Sequence, residues 1–227
     1  MPYKAILFDL DGTLIDSSDD LGSAVNRILS RKGFPTHNLE VYRSFLGEGS
    51  VMLISRSLPA DKRNDIVIKT CHKEFIEDYR QNYNVKTALY DGIPEMLDAF
   101  TEQRLQMAIL SNKSQEFTEK CVAEFLSKWK FEVVLGLSDA VPQKPDPTGA
   151  FKIANQLNIP PSDFIYIGDT AVDLKTAIAA DMLPVGVLWG FRDKKELEDN
   201  GARFIVDKPL QILDILKEEE SAPESRS

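Results

Sequence analysis

The sequence predicts an α/β protein, a doubly wound parallel sheet with an all-helical segment inserted after its first strand. Three observations lead there. Short runs recur that are apolar at consecutive positions, the pattern of strands buried on both faces of a parallel sheet. Amphipathic helical patterns separate them, and that alternation marks a doubly wound core. One stretch, residues 17–86, breaks the alternation and carries helical patterns alone. The 227 residues suit one large domain, or a core with a small insert.

The expected strands are KAILFD (4–9), QMAILS (106–111), FEVVLG (131–136), DFIYIGD (163–169), LPVGVLW (183–189) and RFIV (203–206). Between them, residues 91–103 place Ile93, Met96, Leu97 and Phe100 at helical spacing, with Pro94 in the first turn, where its missing N–H costs nothing. Residues 114–129 repeat Phe117, Cys121, Val122, Phe125 and Leu126 on one face, and 146–158 and 170–181 also read as helices. In the insertion, SSDDLGSAVNRILSRKG opens on capping residues, sets Leu21, Ala24, Val25, Ile28 and Leu29 on one face and stops at Gly33. The expected organisation is a Rossmann-like core (1–16 and 87–217), a helical cap (17–86) and a polar, disordered tail (218–227).

Acidic residues (36) exceed basic ones (27), for a net charge of −9. That excludes a general nucleic-acid surface, which needs a basic footprint, and an anionic membrane surface. The two cysteines, Cys71 and Cys121, read as free thiols of a reducing compartment. No basic segment leads into a short apolar run, so no signal peptide is expected, and no apolar stretch of ~18 residues suggests a membrane span. A cytoplasmic protein is expected, monomeric or homodimeric.

The stretch AILFDLDGTLID (5–16) ends a buried strand in two carboxylates one residue apart. Ligands of open parallel sheets sit outside the carboxyl ends of strands. Like charges this close repel, which calls for a cation or a proton shared with a substrate. Thr13 adds a hydroxyl. A lone Asp-Gly reads better as an Asx turn capping the next helix, a reading that the full D-x-D-G-T pattern weakens. FIYIGDTAVDL ends a second buried strand in Asp169, with Asp173 four residues on. Asp169 reads as a helix N-cap and Asp173 as a partner of the helix dipole. If the strand ends converge, these carboxylates instead form an oxygen-rich site suited to Mg²⁺. Ser111, Asn112 and Lys113 finish another strand, and Lys144 lies in the loop VPQKPDP. Ser111 could donate to an anion or cap a helix. Lys144 could neutralise an anion or be solvated.

In order along residues 4–208, DLDGT, SN, KP and GDTAVD resemble the four motifs of the haloacid dehalogenase superfamily of phosphatases. The resemblance implies Asp9 as the nucleophile that forms an aspartyl-phosphate. It implies Asp11 as the acid that protonates the leaving alcohol and then activates water. Asp9, the backbone carbonyl of Asp11 and Asp169 would hold Mg²⁺, supported by Asp173. Ser111 and Lys144 would hold phosphoryl oxygens, with Thr13 and Asn112 on the substrate side. Carboxylates near Asp11 are expected to help it keep its proton.

The helical insertion resembles the family's cap, with Gly47, Glu48 and Gly49 as a substrate-facing loop or a tight inter-helix connection. Glu48 counts against a carboxylated substrate unless Arg43 or Arg56 outweighs it. Asp11 sets the chain apart from dehalogenases and phosphonatases, and Thr13 favours a phosphatase over a β-phosphoglucomutase-like mutase. FLGEG, SNKS, QKPDP and VGVLWGF are similar to the phosphoglycolate phosphatase branch. The implied partner is a small phosphorylated metabolite. Pyrophosphatase, nucleotidase and mutase activities stay open, as does a non-catalytic phosphate-binding role. Asp181 stands where the family has glycine, and aspartate tolerates the left-handed backbone expected there.

Overall fold

The structure, a computed structural model, describes residues 3–221, with side chains described to residue 217. Strands β1 (Ala5–Phe8) and β2 (Ile15–Asp16) lead into four helices, α1 (Ser18–Arg31), α2 (Leu39–Phe45), α3 (Gly49–Ser57) and α4 (Asp65–Asn82). The chain returns through β3 (Ala88–Leu89) and then alternates: α5 (Ile93–Glu102), β4 (Gln106–Ser114), α6 (Gln115–Phe125), β5 (Val133–Leu137) and α7 (Thr148–Leu157). It continues through β6 (Phe164–Gly168), α8 (Ala171–Ala179), β7 (Leu183–Val187), α9 (Lys194–Asp199), β8 (Phe204–Val206) and α10 (Ile212–Ser221).

Six strands form one parallel sheet in the order β5-β4-β1-β6-β7-β8. β1 lies between β4 and β6, where the strand order reverses, so a crevice opens beyond its carboxyl end. The pleat sends alternate residues to opposite faces. Ile6 and Phe8 pack with Met107, Ile109, Ile165 and Ile167 against α5 and α10. Ala5 and Leu7 pack with Ala108, Leu110, Phe164 and Tyr166 against α7 and α8. This two-sided burial explains the uninterrupted apolar runs. Six expected strands are present, and Asp181 takes φ +57°, the left-handed conformation expected of it. The tail differs: α10 carries its helical backbone to Ser221, four residues into the segment expected to be disordered. Buried Ile212, Ile215 and Leu216 anchor its start, and Lys and Glu are good helix formers. Residues 222–227 of that expected tail lie outside the described residues. Among the described residues, no helix is long and apolar enough to cross a membrane.

The four helices between β2 and β3 close around a cluster of their own, which includes Val25, Ile28, Tyr42, Leu53, Phe75 and Tyr79 and is joined by Phe117 of α6. The chain enters and leaves this layer side by side, because β2 pairs antiparallel with β3. That pair was not expected, and two residues per strand leave no periodicity to read. Buried Asp20 fastens the same place. Its carboxylate accepts the Lys86 N–H at 2.9 Å and the Thr87 N–H and hydroxyl at 2.8 Å each. Asp20→Ala strands two backbone donors at the junction. It is expected to cost about 3 kcal/mol, read as a fall in Tm of roughly 10 °C.

Candidate active site

Adjacent β1 and β6 bring two carboxylates to one rim. The Asp9 N–H donates to Ile167 O at 2.9 Å, which extends the ladder by one residue, and Asp169 follows β6 directly after Gly168. Gly12, at φ +90°, turns the chain away from the strand, and a Cβ there would collide with the Asp169 carboxylate. A Cβ at Gly190 would meet Asp169 and Gly12 O as well. Asp169 accepts the Phe191 N–H at 2.8 Å and the Thr13 hydroxyl at 3.3 Å. The helix-cap alternative for Asp169 does not hold. Thr170 is the N-cap of α8, and Asp173 reaches back to the Thr170 N–H at 3.1 Å and hydroxyl at 2.7 Å. The helix starts one residue later, and the Asp169 carboxylate is taken up by Phe191 and Thr13 instead.

Lys144 is buried at the centre. Its ammonium lies 2.9 Å from Asp9 Oδ1 and 2.6 Å from Asp173 Oδ1, and donates to Leu110 O at 3.0 Å. The solvated alternative for Lys144 is thereby excluded. Asp9, Asp169 and Asp173 each bring a carboxylate oxygen to within 4.8 Å of the others. Three buried carboxylates thus cluster around one buried ammonium, which pairs with two of them. Burial, then the Asp173 charge, pushes the Asp9 carboxyl up to about 7, against the pull of Lys144. Burial and the Asp173 and Asp9 charges hold Asp169 well above the usual carboxylate range. A surplus of buried negative charge on oxygen ligands fits a hard divalent cation such as Mg²⁺.

Asp11 turns away from this cluster. Its carboxylate accepts the Ser17 hydroxyl at 2.5 Å and takes the Lys113 ammonium at 2.7 and 3.0 Å. Its direct ion-pair partner is a lysine, not a second carboxylate. Lys113 also donates to the Tyr79 hydroxyl of α4 at 3.0 Å. Burial alone would lower the Lys113 pKa, but the Asp11 charge beside it outweighs that and holds the group well above its ordinary value. Ser111 stays in β4 and caps no helix; its oxygen accepts the Lys113 N–H at 3.2 Å. Asn112 uses its amide within the protein: to Gly47 O at 3.0 Å, to Lys144 O at 3.3 Å and from the Lys144 N–H at 2.8 Å. It fastens the Gly47 loop to the Lys144 loop at the edge of the cleft.

A cleft separates β1 and β4 from the helical layer. Asp9, Asp11, Ser111, Asn112, Gly47 and Gly49 line it, together with Lys113, Tyr79 and an apolar wall. Glu48 and Arg43 do not. Glu48 pairs with Arg56, and Arg43 pairs with Asp16 at 2.8 Å. Gly47 presses on Thr170, where a Cβ would approach Cγ2 to 3.1 Å. The loop is therefore both a tight connection and part of the cleft. Across it, Arg192 donates to Arg43 O at 2.7 Å and Leu46 O at 2.6 Å, satisfying carbonyls at the end of α2. Sequence reading gave no role to Lys113, Tyr79, Ser17, Gly190, Phe191 or Arg192. Lys113 stood in plain view after Ser111 and Asn112, but its partners come from distant elements.

A family model described as "Haloacid dehalogenase-like hydrolase" matches residues 6–187. A phosphoglycolate phosphatase of Pseudomonas syringae pv. tomato is 29% identical over 92% of this chain and 78% of its own length. A crystal structure from Lactobacillus delbrueckii subsp. bulgaricus, provisionally assigned as a phosphoglycolate phosphatase, superposes with a TM-score of 0.89 at 27% identity, covering 95% of this chain and 99% of that one. A Haemophilus somnus 129pt structure, given the same activity by prediction, shares the fold at a TM-score of 0.85 and 24% identity, with 95% and 99% covered.

Proposed function

Because the chain belongs to the haloacid dehalogenase-like hydrolase family, we propose that it is a Mg²⁺-dependent phosphatase that hydrolyses a small phosphate monoester, of the phosphoglycolate type, through an aspartyl-phosphate on Asp9. The observation that carries this reading is the placement of Asp9. It stands at the carboxyl end of the central strand, against Lys144, with Asp169 and Asp173 beside it and Asp11 across the turn.

The Asp9 carboxylate attacks phosphorus as the bond from phosphorus to the ester oxygen breaks, and Asp11 gives that oxygen a proton. Asp11 then takes a proton from the water that attacks the aspartyl-phosphate, which frees phosphate and restores Asp9. Lys144 sits at Asp9 Oδ1, so as the carboxylate charge passes into the new bond, its ammonium meets the phosphoryl oxygens. Asp173 holds Lys144 with one oxygen and Thr170 with the other, and so acts as a support. Ser111 offers its hydroxyl at the same rim. Asp9, Asp169 and the Asp11 carbonyl would hold Mg²⁺. When bound, the ion shields the carboxylate from its anionic target and neutralises developing charge.

The test is a panel of phosphoglycolate, pyrophosphate, nucleoside monophosphates, sugar phosphates and p-nitrophenyl phosphate, assayed for phosphate release with Mg²⁺ and with EDTA. Hydrolysis in Mg²⁺ that EDTA abolishes is expected. Silence across the whole panel would return the protein to a non-catalytic phosphate-binding role, and isomerisation of a sugar phosphate without phosphate release would make it a mutase.

A further inference from the structure

The cleft over Asp9 has about 50 Å³ of water-accessible space, enough for a few water-sized groups. Its far wall is apolar, built from Leu21, Leu46, Leu53, Phe75, Ile76 and Phe117. The two arginines nearest in sequence to the cleft loop are already paired, with Asp16 and Glu48. Among the described residues lining the cleft, Lys113 is the one cation. It is buried, and its three donors go to the two Asp11 oxygens and the Tyr79 hydroxyl.

This matters once Asp11 acts. To reach the leaving oxygen, the Asp11 carboxylate must let go of Lys113. The ammonium then keeps one neutral partner, Tyr79, in a pocket with an apolar wall. A buried ammonium without a counter-charge is strongly unfavourable. A substrate that brings its own anion beside the leaving oxygen removes the penalty, and one that does not must bear it.

Resting on the phosphatase reading above, we infer that Lys113 is the specificity-determining residue for the leaving group: it exchanges the Asp11 carboxylate for a carboxylate carried by the substrate, close to the ester oxygen. The substrate class is a short phosphorylated 2-hydroxy acid. The small cleft excludes bulky sugar or nucleoside leaving groups, and Lys113 selects against neutral ones of the same size. Glu48 does not oppose such a substrate, because it lies off the cleft and is paired with Arg56.

The experiment compares two esters of nearly equal size, phosphoglycolate and 2-hydroxyethyl phosphate, with p-nitrophenyl phosphate as a generic probe. The full-length wild-type protein is expected to favour phosphoglycolate by roughly 100-fold in kcat/KM. Lys113→Met is expected to bring the ratio within a few-fold of one, mainly through a higher KM for phosphoglycolate, and Lys113→Arg to restore part of it. The wild-type ratio needs no variant, so misfolding of Lys113→Met leaves the inference testable. Asp9-dependent hydrolysis of p-nitrophenyl phosphate without any preference for phosphoglycolate overturns the Lys113 assignment and spares the phosphatase reading. So does a preference that survives in Lys113→Met. No hydrolysis of any of the three esters overturns both.

Discussion

Asp9→Asn is expected to lower phosphate release by roughly 10⁴-fold or more, the scale of losing a nucleophile, while leaving the fold intact. The amide keeps the carboxylate's shape, and Lys144 retains Asp173 and Leu110 O as partners. The variant also removes one of three crowded charges. Burial and the Asp173 charge already disfavour ionised Asp9, so the metal-free variant is expected to melt no lower than wild type at pH 8. Acid quenching during turnover should trap phosphate on the wild-type chain and none on the variant. Turnover near the wild-type rate by a well-folded Asp9→Asn protein would remove Asp9 from the nucleophile's role.

The second large effect is a stability profile that depends on the cation. Asp9 moves from an ordinary 3.8 to about 7 on folding, so between those values the folded state binds the proton that the unfolded chain has lost. Stability of the metal-free protein therefore falls as pH rises from about 4 to about 7, by ~3 kcal/mol from this group. Asp169 shifts in the same direction. A cation that binds the ionised cluster adds stability by mass action, and adds more where protons no longer compete. The difference in Tm between Mg²⁺ and EDTA is expected to be small near pH 5 and large near pH 8. A difference that does not change with pH would sink this account. Asp9→Asn should make the profile shallower and leave the part that Asp169 contributes.

Much of this was legible in the sequence, for physical reasons. A strand covered on both faces needs apolar side chains at every position, so β1, β4 and β6 stand out as runs. β2 and β3 are too short for a pattern, and α9 buries one side chain, Leu197, so neither leaves periodicity to find. At the site, Asp9, Asp169 and Lys144 are tied to strand ends or motif order and could be placed in advance. The partners of Lys113, Arg43, Glu48 and Arg56 could not. Whether a charge faces a cleft or a neighbour is settled by tertiary packing, as when Tyr79 meets a lysine 34 residues away. Backbone donors such as the Phe191 N–H carry no residue-type signal.

The position of β1 also orders events during synthesis. It is synthesised before the other strands of its sheet, yet it pairs with Gln106–Ile109 on one side and Phe164–Ile167 on the other. One hydrogen-bonding edge waits for β4 and the other until β6 has been translated, while α1 to α4 meet one another locally and earlier. Such long-range pairing is slow and leaves apolar segments exposed in the meantime. The strand that leads into Asp9 is thus made before its sheet partners and seated late, and a nascent chain stopped before residue 164 holds Asp9 at the end of a strand that still lacks one neighbour.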